Sequence, residues 1–159
     1  MMKEAIEDFR HTVEEASARL LSISDEESAR EKAPGKWSPK EIIGHLIDSA
    51  SNNHQRFVRT QFRDDLAFLG YQQEAWVKVQ RYASEPWYQL VTLWKTFNLH
   101  LAHVMEHVPE DALKKPRVKH NLDEIAWQTV SKEEPVTLEY FMLDYIGHLK
   151  NHLRQIFNE

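Results

Sequence analysis

The stretch Tyr145-Ile146-Gly147-His148-Leu149-Lys150-Asn151-His152 carries two histidines four residues apart. On an α-helix that spacing puts both imidazoles on one face, one turn apart, where they can share a divalent cation. A metal centre open for catalysis also needs a third protein ligand and a free position for water or substrate. The same spacing recurs at His103 and His107, and such a pair is more often solvated or packed in a core than a ligand set. Spacing alone therefore does not decide. The side of the helix on which each pair falls does.

Around the first pair, Leu138, Met142, Tyr145, Ile146, Leu149, Leu153 and Ile156 recur as one apolar face, and Thr137 stands where an N-cap belongs. This predicts a helix over 137–157 with His152 just inside the edge of the face and His148 at its border. Around the other pair, Ser84-Glu85-Pro86 opens a helix over 85–108, with Trp87, Leu90, Val91, Trp94, Phe97, Leu101, Val104, Met105 and Val108 inward. At about 100° per residue, His100, His103 and His107 lie opposite Trp94, Leu101 and Met105 and face solvent. The pair at 103 and 107 is thereby set aside.

A third ligand has to come from elsewhere. Ser38-Pro39-Lys40-Glu41 offers a serine N-cap, proline at the first helical position and glutamate where a capping box requires it. The helix predicted over 38–62 buries Ile42, Ile43, Leu46, Ala50 and Phe57. His45 lies on the flank of that stripe, and Asp48, Asn52 and Arg56 continue from it at steps of three, four and four. Such a track either lines a pocket inside a bundle or forms a solvated edge. His54 sits on the other flank and is left out.

The rest of the chain supplies the bundle. Ile6, Phe9, Val13, Ala16, Leu20 and Ile23 predict an amphipathic helix over 3–31, ending near Pro34-Gly35, with His11 solvated. A short helix over 73–82 would turn Ala75, Trp76 and Val79 inward, and Tyr71 and Trp76 either cap the core or roof a ligand pocket. Residues 109–136 read as a long polar connection with a turn of helix near Leu122–Trp127.

Composition agrees with one soluble domain over residues 1–159, at 42% hydrophobic and 28% charged. Four glycines and six prolines leave little material for an all-β fold. A formal charge of -5 argues against nucleic acid as the partner. No run approaches the roughly 18 apolar residues of a membrane span, and a cytoplasmic protein is expected. With no cysteine, any thiol chemistry has to use a thiol brought in by a ligand. Trp76, Trp127 and the exposed parts of Trp87 and Tyr88 exceed what one small bundle readily buries, which predicts a homodimer.

His45, His148 and His152 together suit zinc, nickel or another late divalent metal, with no carboxylate to neutralise its charge. Such a metal lowers the pKa of bound water or of a bound thiol. Asp48 and Asn52 are candidates to orient a ligand, and Arg56 to pair with an acidic substrate group; each could instead make only interhelical or surface hydrogen bonds. Two readings stand: a metal-dependent enzyme acting on a small-molecule substrate, or a non-catalytic bundle that binds metal or a small ligand, such as a stress-response interaction module.

The segment from Trp37 through His45 and Asp48 to Phe57 resembles the first metal-binding helix of the DinB-like four-helix-bundle superfamily. Thr137-Leu138, His148 and His152 resemble its last helix, and Tyr71 to Trp76 resembles the segment after its second helix. The nearest subgroup is the bacillithiol-transferase-like, metal-dependent hydrolases. The resemblance implies an all-α, up-down-down-up bundle with a long crossover, a metal on His45, His148 and His152, frequent homodimers, and thiol S-transferase or hydrolase activity with a low-molecular-weight thiol. One departure is Asn151, where the family often has another histidine.

Overall fold

A computed structural model describes residues 1–159. Four long helices, α1 (Met2–Leu21), α3 (Pro39–Thr60), α5 (Trp87–Glu106) and α8 (Leu138–Phe157), are joined through the short helices α2 (Asp25–Ser28), α4 (Gln73–Gln80), α6 (Glu110–Lys114) and α7 (Leu122–Ile125). The long helices bury one continuous apolar core, with Phe9, Phe57, Trp94, Leu101, Met142 and Leu149 at its centre. No strand forms; an isolated bridge of Leu66 with His120 ties the two long connections together, and one of Arg117 with Val136 closes the second connection on itself.

α1 and α3 each pack against both α5 and α8 and occupy opposite corners. Side-chain pairs fix the directions. Arg10 meets Glu106 and Trp87 meets Leu20, so α1 and α5 run antiparallel. His45 faces His148 while Phe57 faces Phe141, so α3 and α8 are also antiparallel. α1 and α8 run together, through Asp8 with Lys150 and Arg19 with Glu159. The result is the up-down-down-up bundle, in which α3 and α5 are parallel and residues 61–86 must cross the whole length of the molecule between them.

The four long helices stand where the apolar periodicity puts them, with one boundary corrected. α1 ends at Leu21, not near residue 31. Ser24 adopts an extended backbone and forms a capping box with Glu27, which starts α2 afresh. That Ser-x-x-Glu signature is readable in the sequence. Asp25 then accepts the Trp87 backbone N–H at 2.8 Å and pairs with Lys40, fastening the start of α5 to α3.

The three inward assignments of α4 change. In α4 the buried residue is Val77; Ala75 and Val79 are exposed. Trp76 is partly exposed because it packs on Tyr71, with ring centroids 4.8 Å apart, instead of entering the bundle. Trp87 is buried, and its Nε1–H donates to the Leu20 carbonyl, one of the carbonyls left without a helical partner at the end of α1. The aromatic surface invoked for a dimer thus shrinks to Trp76, Trp127 and Tyr88. No helix is long and apolar enough to cross a membrane.

Candidate metal centre

His45 projects from the second turn of α3, and His148 and His152 from adjacent turns of α8. Because these helices are antiparallel, the two i,i+4 histidines meet the single one side by side. His45 Nε2 lies 3.3 Å from His148 Nε2, which lies 3.0 Å from His152 Nε2. One ring nitrogen of each falls within 4.8 Å of the other two.

His45 and His148 each follow a glycine, and each glycine has a physical reason. A Cβ on Gly44 would stand 2.2 Å from the ring of Tyr82, and one on Gly147 would stand 3.0 Å from Trp127. The two long connections thus lay an aromatic ring onto each ligand-bearing helix directly beside a histidine. Both rings are anchored. The Tyr82 hydroxyl donates to Asp48 at 2.7 Å, and Gln80 donates to the same oxygen at 2.8 Å. The backbone N–H groups of Trp127 and Gln128 donate to the two oxygens of Asp144 at 2.9 and 2.7 Å. The connections are also joined to each other, since the Asn121 amide bonds both the N–H and the carbonyl of Phe68.

Burial, then the neighbouring His152 and His148, pushes the His45 pKa down to about 3. Burial, then His152, pushes His148 down to about 4. Burial also lowers His152, against the opposing bond to Gln155. All three imidazoles are therefore neutral near pH 7, the form that offers a lone pair to a cation. A Gln155 oxygen lies 2.8 Å from His152 Nδ1; with Nδ1 protonated and donating to it, the Nε2 lone pair is left free toward the cluster. His45 Nδ1 is buried without a partner.

These donors fit a late divalent metal. Tetrahedral zinc with Zn–N near 2.05 Å separates its nitrogens by about 3.4 Å, close to the 3.0 and 3.3 Å of two of the three pairs, with all three nitrogens within 4.8 Å of one another. Three neutral nitrogens with no carboxylate leave the ion's charge uncompensated and one position open.

His148 and His152 open onto a cavity of about 410 Å³ between α3 and α8, and His45 sits behind them. A volume of that size accepts a small molecule. Arg56, Ser49 and Asn53 line it from α3, Asp144, Tyr145 and Asn151 from α8, and Tyr71 and Trp127 from the connections. Asp48 and Asn52 do not line it. Asp48 is turned to Tyr82 and Gln80, where burial raises its pKa against those two bonds. The Asn52 side chain donates to the Asp48 carbonyl at 2.9 Å. The lining track of α3 instead runs from His45 through Ser49, Asn53 and Arg56, at steps of four, four and three. On α8, Asp144 precedes His148 by four. Both rows obey the rule that paired the histidines, so each is readable once a helix face has been chosen.

His54, His100, His103 and His107 form a separate surface row along α3 and α5, open to water.

A family model described as the DinB superfamily matches residues 5–156. Among solved structures, the chain superposes with a TM-score of 0.75 on YfiT from Bacillus subtilis, described as a probable metal-dependent hydrolase with an unusual four-helix bundle topology. That match covers 98% of this chain and 86% of YfiT at 19% identity, which establishes a shared fold. No curated protein sequence matches significantly.

Proposed function

The chain belongs to the DinB superfamily, and from that premise we propose that it is a metal-dependent enzyme, a hydrolase or thiol S-transferase, whose divalent zinc or nickel is held by His45, His148 and His152. The observation that carries this reading is the meeting of three neutral imidazoles, His45 buried and His148 and His152 half-buried, at one end of a 410 Å³ cavity. A bound ion supplies Lewis acidity there, lowering the pKa of a bound water or thiol into the neutral range. The chain's own residues do the positioning. Asp144 fixes the Trp127 loop over the cavity, and Gly147 lets that ring lie beside His148. Asp48, through Tyr82, holds the crossover against α3. Tyr71 and Trp127 line the cavity from the two long connections. Lacking cysteine, the chain has no thiol of its own to transfer.

Elemental analysis of untagged protein, followed by turnover assays with generic esters and with low-molecular-weight thiols plus an electrophile, tests the reading. One equivalent of metal with turnover supports it. One equivalent without turnover on any pairing favours the non-catalytic binding bundle. A homodimer remains proposed from Trp76, Trp127 and Tyr88, and sedimentation showing a monomer at every accessible concentration discards it.

A further inference from the structure

Two arginines are buried in this protein, and they are served differently. Arg117 is 2% exposed and donates four hydrogen bonds to the carbonyls of Thr60, Ala112 and Lys115, a structural clamp joining α3 to the connection after α5. Arg56 is 5% exposed and makes two bonds, one to Asn53 Oδ1 at 3.4 Å and one to the Leu69 carbonyl at 3.1 Å. A guanidinium carries five N–H donors. Arg56 has no carboxylate partner, and it lines the cavity that the histidines enter. The two other charged groups of the lining are bonded elsewhere and not to Arg56: Asp144 accepts the Trp127 and Gln128 N–H groups, and Glu124 lies 3.5 Å from Lys132. A buried cation with spare donors, facing a cavity and bonded to no carboxylate, is stabilised when a ligand brings an anion within bonding distance.

We propose that Arg56 is the anchor for a carboxylate at the far end of the substrate, so that this cavity takes elongated small acids whose reacting group points to the histidines and whose carboxylate points to Arg56. The inference rests on the metal reading for the orientation of the ligand, and on Arg56 alone for its charge. His45 and Arg56 are eleven residues apart on α3, about 16 Å of helix rise, and the arginine side chain leans back toward the N-terminal end. The ligand is therefore a chain of several atoms. A single guanidinium, already using two of its donors, suits a planar monoanion better than a phosphate dianion, which is usually held by several donors. Asn53, holding the guanidinium, is a positioning residue.

The test titrates 6-mercaptohexanoate against its uncharged counterpart 6-mercaptohexanol into the full chain, metal-free and zinc-loaded, with wild type, Arg56→Met and Arg56→Lys. Binding is read by calorimetry, and zinc content by elemental analysis of the same samples. In wild type the acid should bind at least about tenfold more tightly than the alcohol, the size expected of one charge-assisted hydrogen bond. Arg56→Met should abolish the preference while leaving zinc content unchanged. Arg56→Lys, which keeps the charge but cannot hold Asn53, Leu69 and a ligand together, should retain only a severalfold preference, and it decides the matter if Arg56→Met does not fold. An equal affinity for acid and alcohol in wild type, or a preference that survives both substitutions, overturns the proposal. If the chain takes up no zinc yet prefers the acid through Arg56, the anchor stands and the metal reading falls. If zinc loads and no preference appears, the metal reading stands and the anchor falls.

Discussion

The pairs His148–His152 and His103–His107 have the same sequence spacing and similar ring separations, 4.6 and 4.3 Å between centroids. Their surroundings are opposite. His148 and His152 point into a groove between antiparallel helices, meet a third imidazole at 3.3 Å and open onto a cavity. His103 and His107 point into solvent from the outer face of α5, where His107 Nδ1 lies within bonding distance of a backbone carbonyl. A helical i,i+4 pair is thus only half a site. What completes it is an antiparallel neighbour close enough to add a ligand, and connections that wall off the space in front.

The largest effect should come from breaking the inward-facing set. His45→Ala, His148→Ala or His152→Ala removes one of three nitrogens. Each should weaken zinc binding by more than the roughly 10–100-fold that loss of an outer-shell partner costs, and abolish any turnover. His45→Ala matters most to the comparison, because it lies far from the pair in sequence. Metal content after dialysis against a weak chelator is the measurement; retention of metal by His45→Ala would assign the centre to other residues.

Next in size are the glycines beside the histidines. Gly44→Ala drives a methyl group to 2.2 Å from the Tyr82 ring, which is held through Asp48 and cannot simply swing away. Overpacking of this kind costs about 1–3 kcal/mol. Gly147→Ala meets Trp127 at 3.0 Å, a partly exposed ring with room to shift, and should cost less. Thermal unfolding of the two variants should rank them in that order, and the reverse order would mean that Trp127, not Tyr82, is the rigid ring.

Acid should also act through the inward-facing set. In the unfolded chain these histidines take up protons near pH 6.5, whereas in the folded, metal-free chain His148 does so only near 4 and His45 near 3. Between about pH 6.5 and 4 the unfolded state binds more protons, so stability falls as pH is lowered through that window. Denaturant midpoints of metal-free protein should show this slope, and a His45→Ala, His148→Ala double variant should flatten it. An unchanged slope in the double variant would place the acid sensitivity elsewhere.

Much of this is legible without the fold. The apolar stripes mark four helices, and the facing of each stripe separates the two histidine pairs, because 3.6-residue periodicity is a strong signal over twenty residues. The break at Ser22 is hidden because the apolar stripe continues to Ile23 across it, and only the Ser24–Glu27 cap competes with that stripe. The inward side of α4 is misread from the sequence because two turns carry little periodic signal and the Tyr71–Trp76 contact overrides it. On α3 the polar track through Asp48 and Asn52 is as good a candidate for the lining as the one through Ser49 and Asn53. The two tracks lie a residue apart and flank the same histidine, and only the neighbouring helix decides which of them faces the cavity.

The smallest expected effect is the other half of the comparison. His103→Ala and His107→Ala alter exposed side chains. His107 caps the end of α5, and its ring lies 2.8 Å from the His103 carbonyl, so its loss removes at most one solvent-exposed hydrogen bond. Surface changes of this kind usually stay within about 0.5 kcal/mol. Neither variant should alter tightly bound metal or turnover, since neither ring reaches the cavity. At high metal concentration His103 and His107, with His100 nearby, should still collect a weakly held ion. Equilibrium dialysis over a range of zinc concentrations therefore separates two classes of binding, one tight equivalent lost with His45, His148 or His152 and a weak class lost with His103 or His107. If the tight equivalent disappears from His103→Ala and persists in His148→Ala, burial and facing are the wrong guide to which pair binds, and the outer row of α5 is the metal centre.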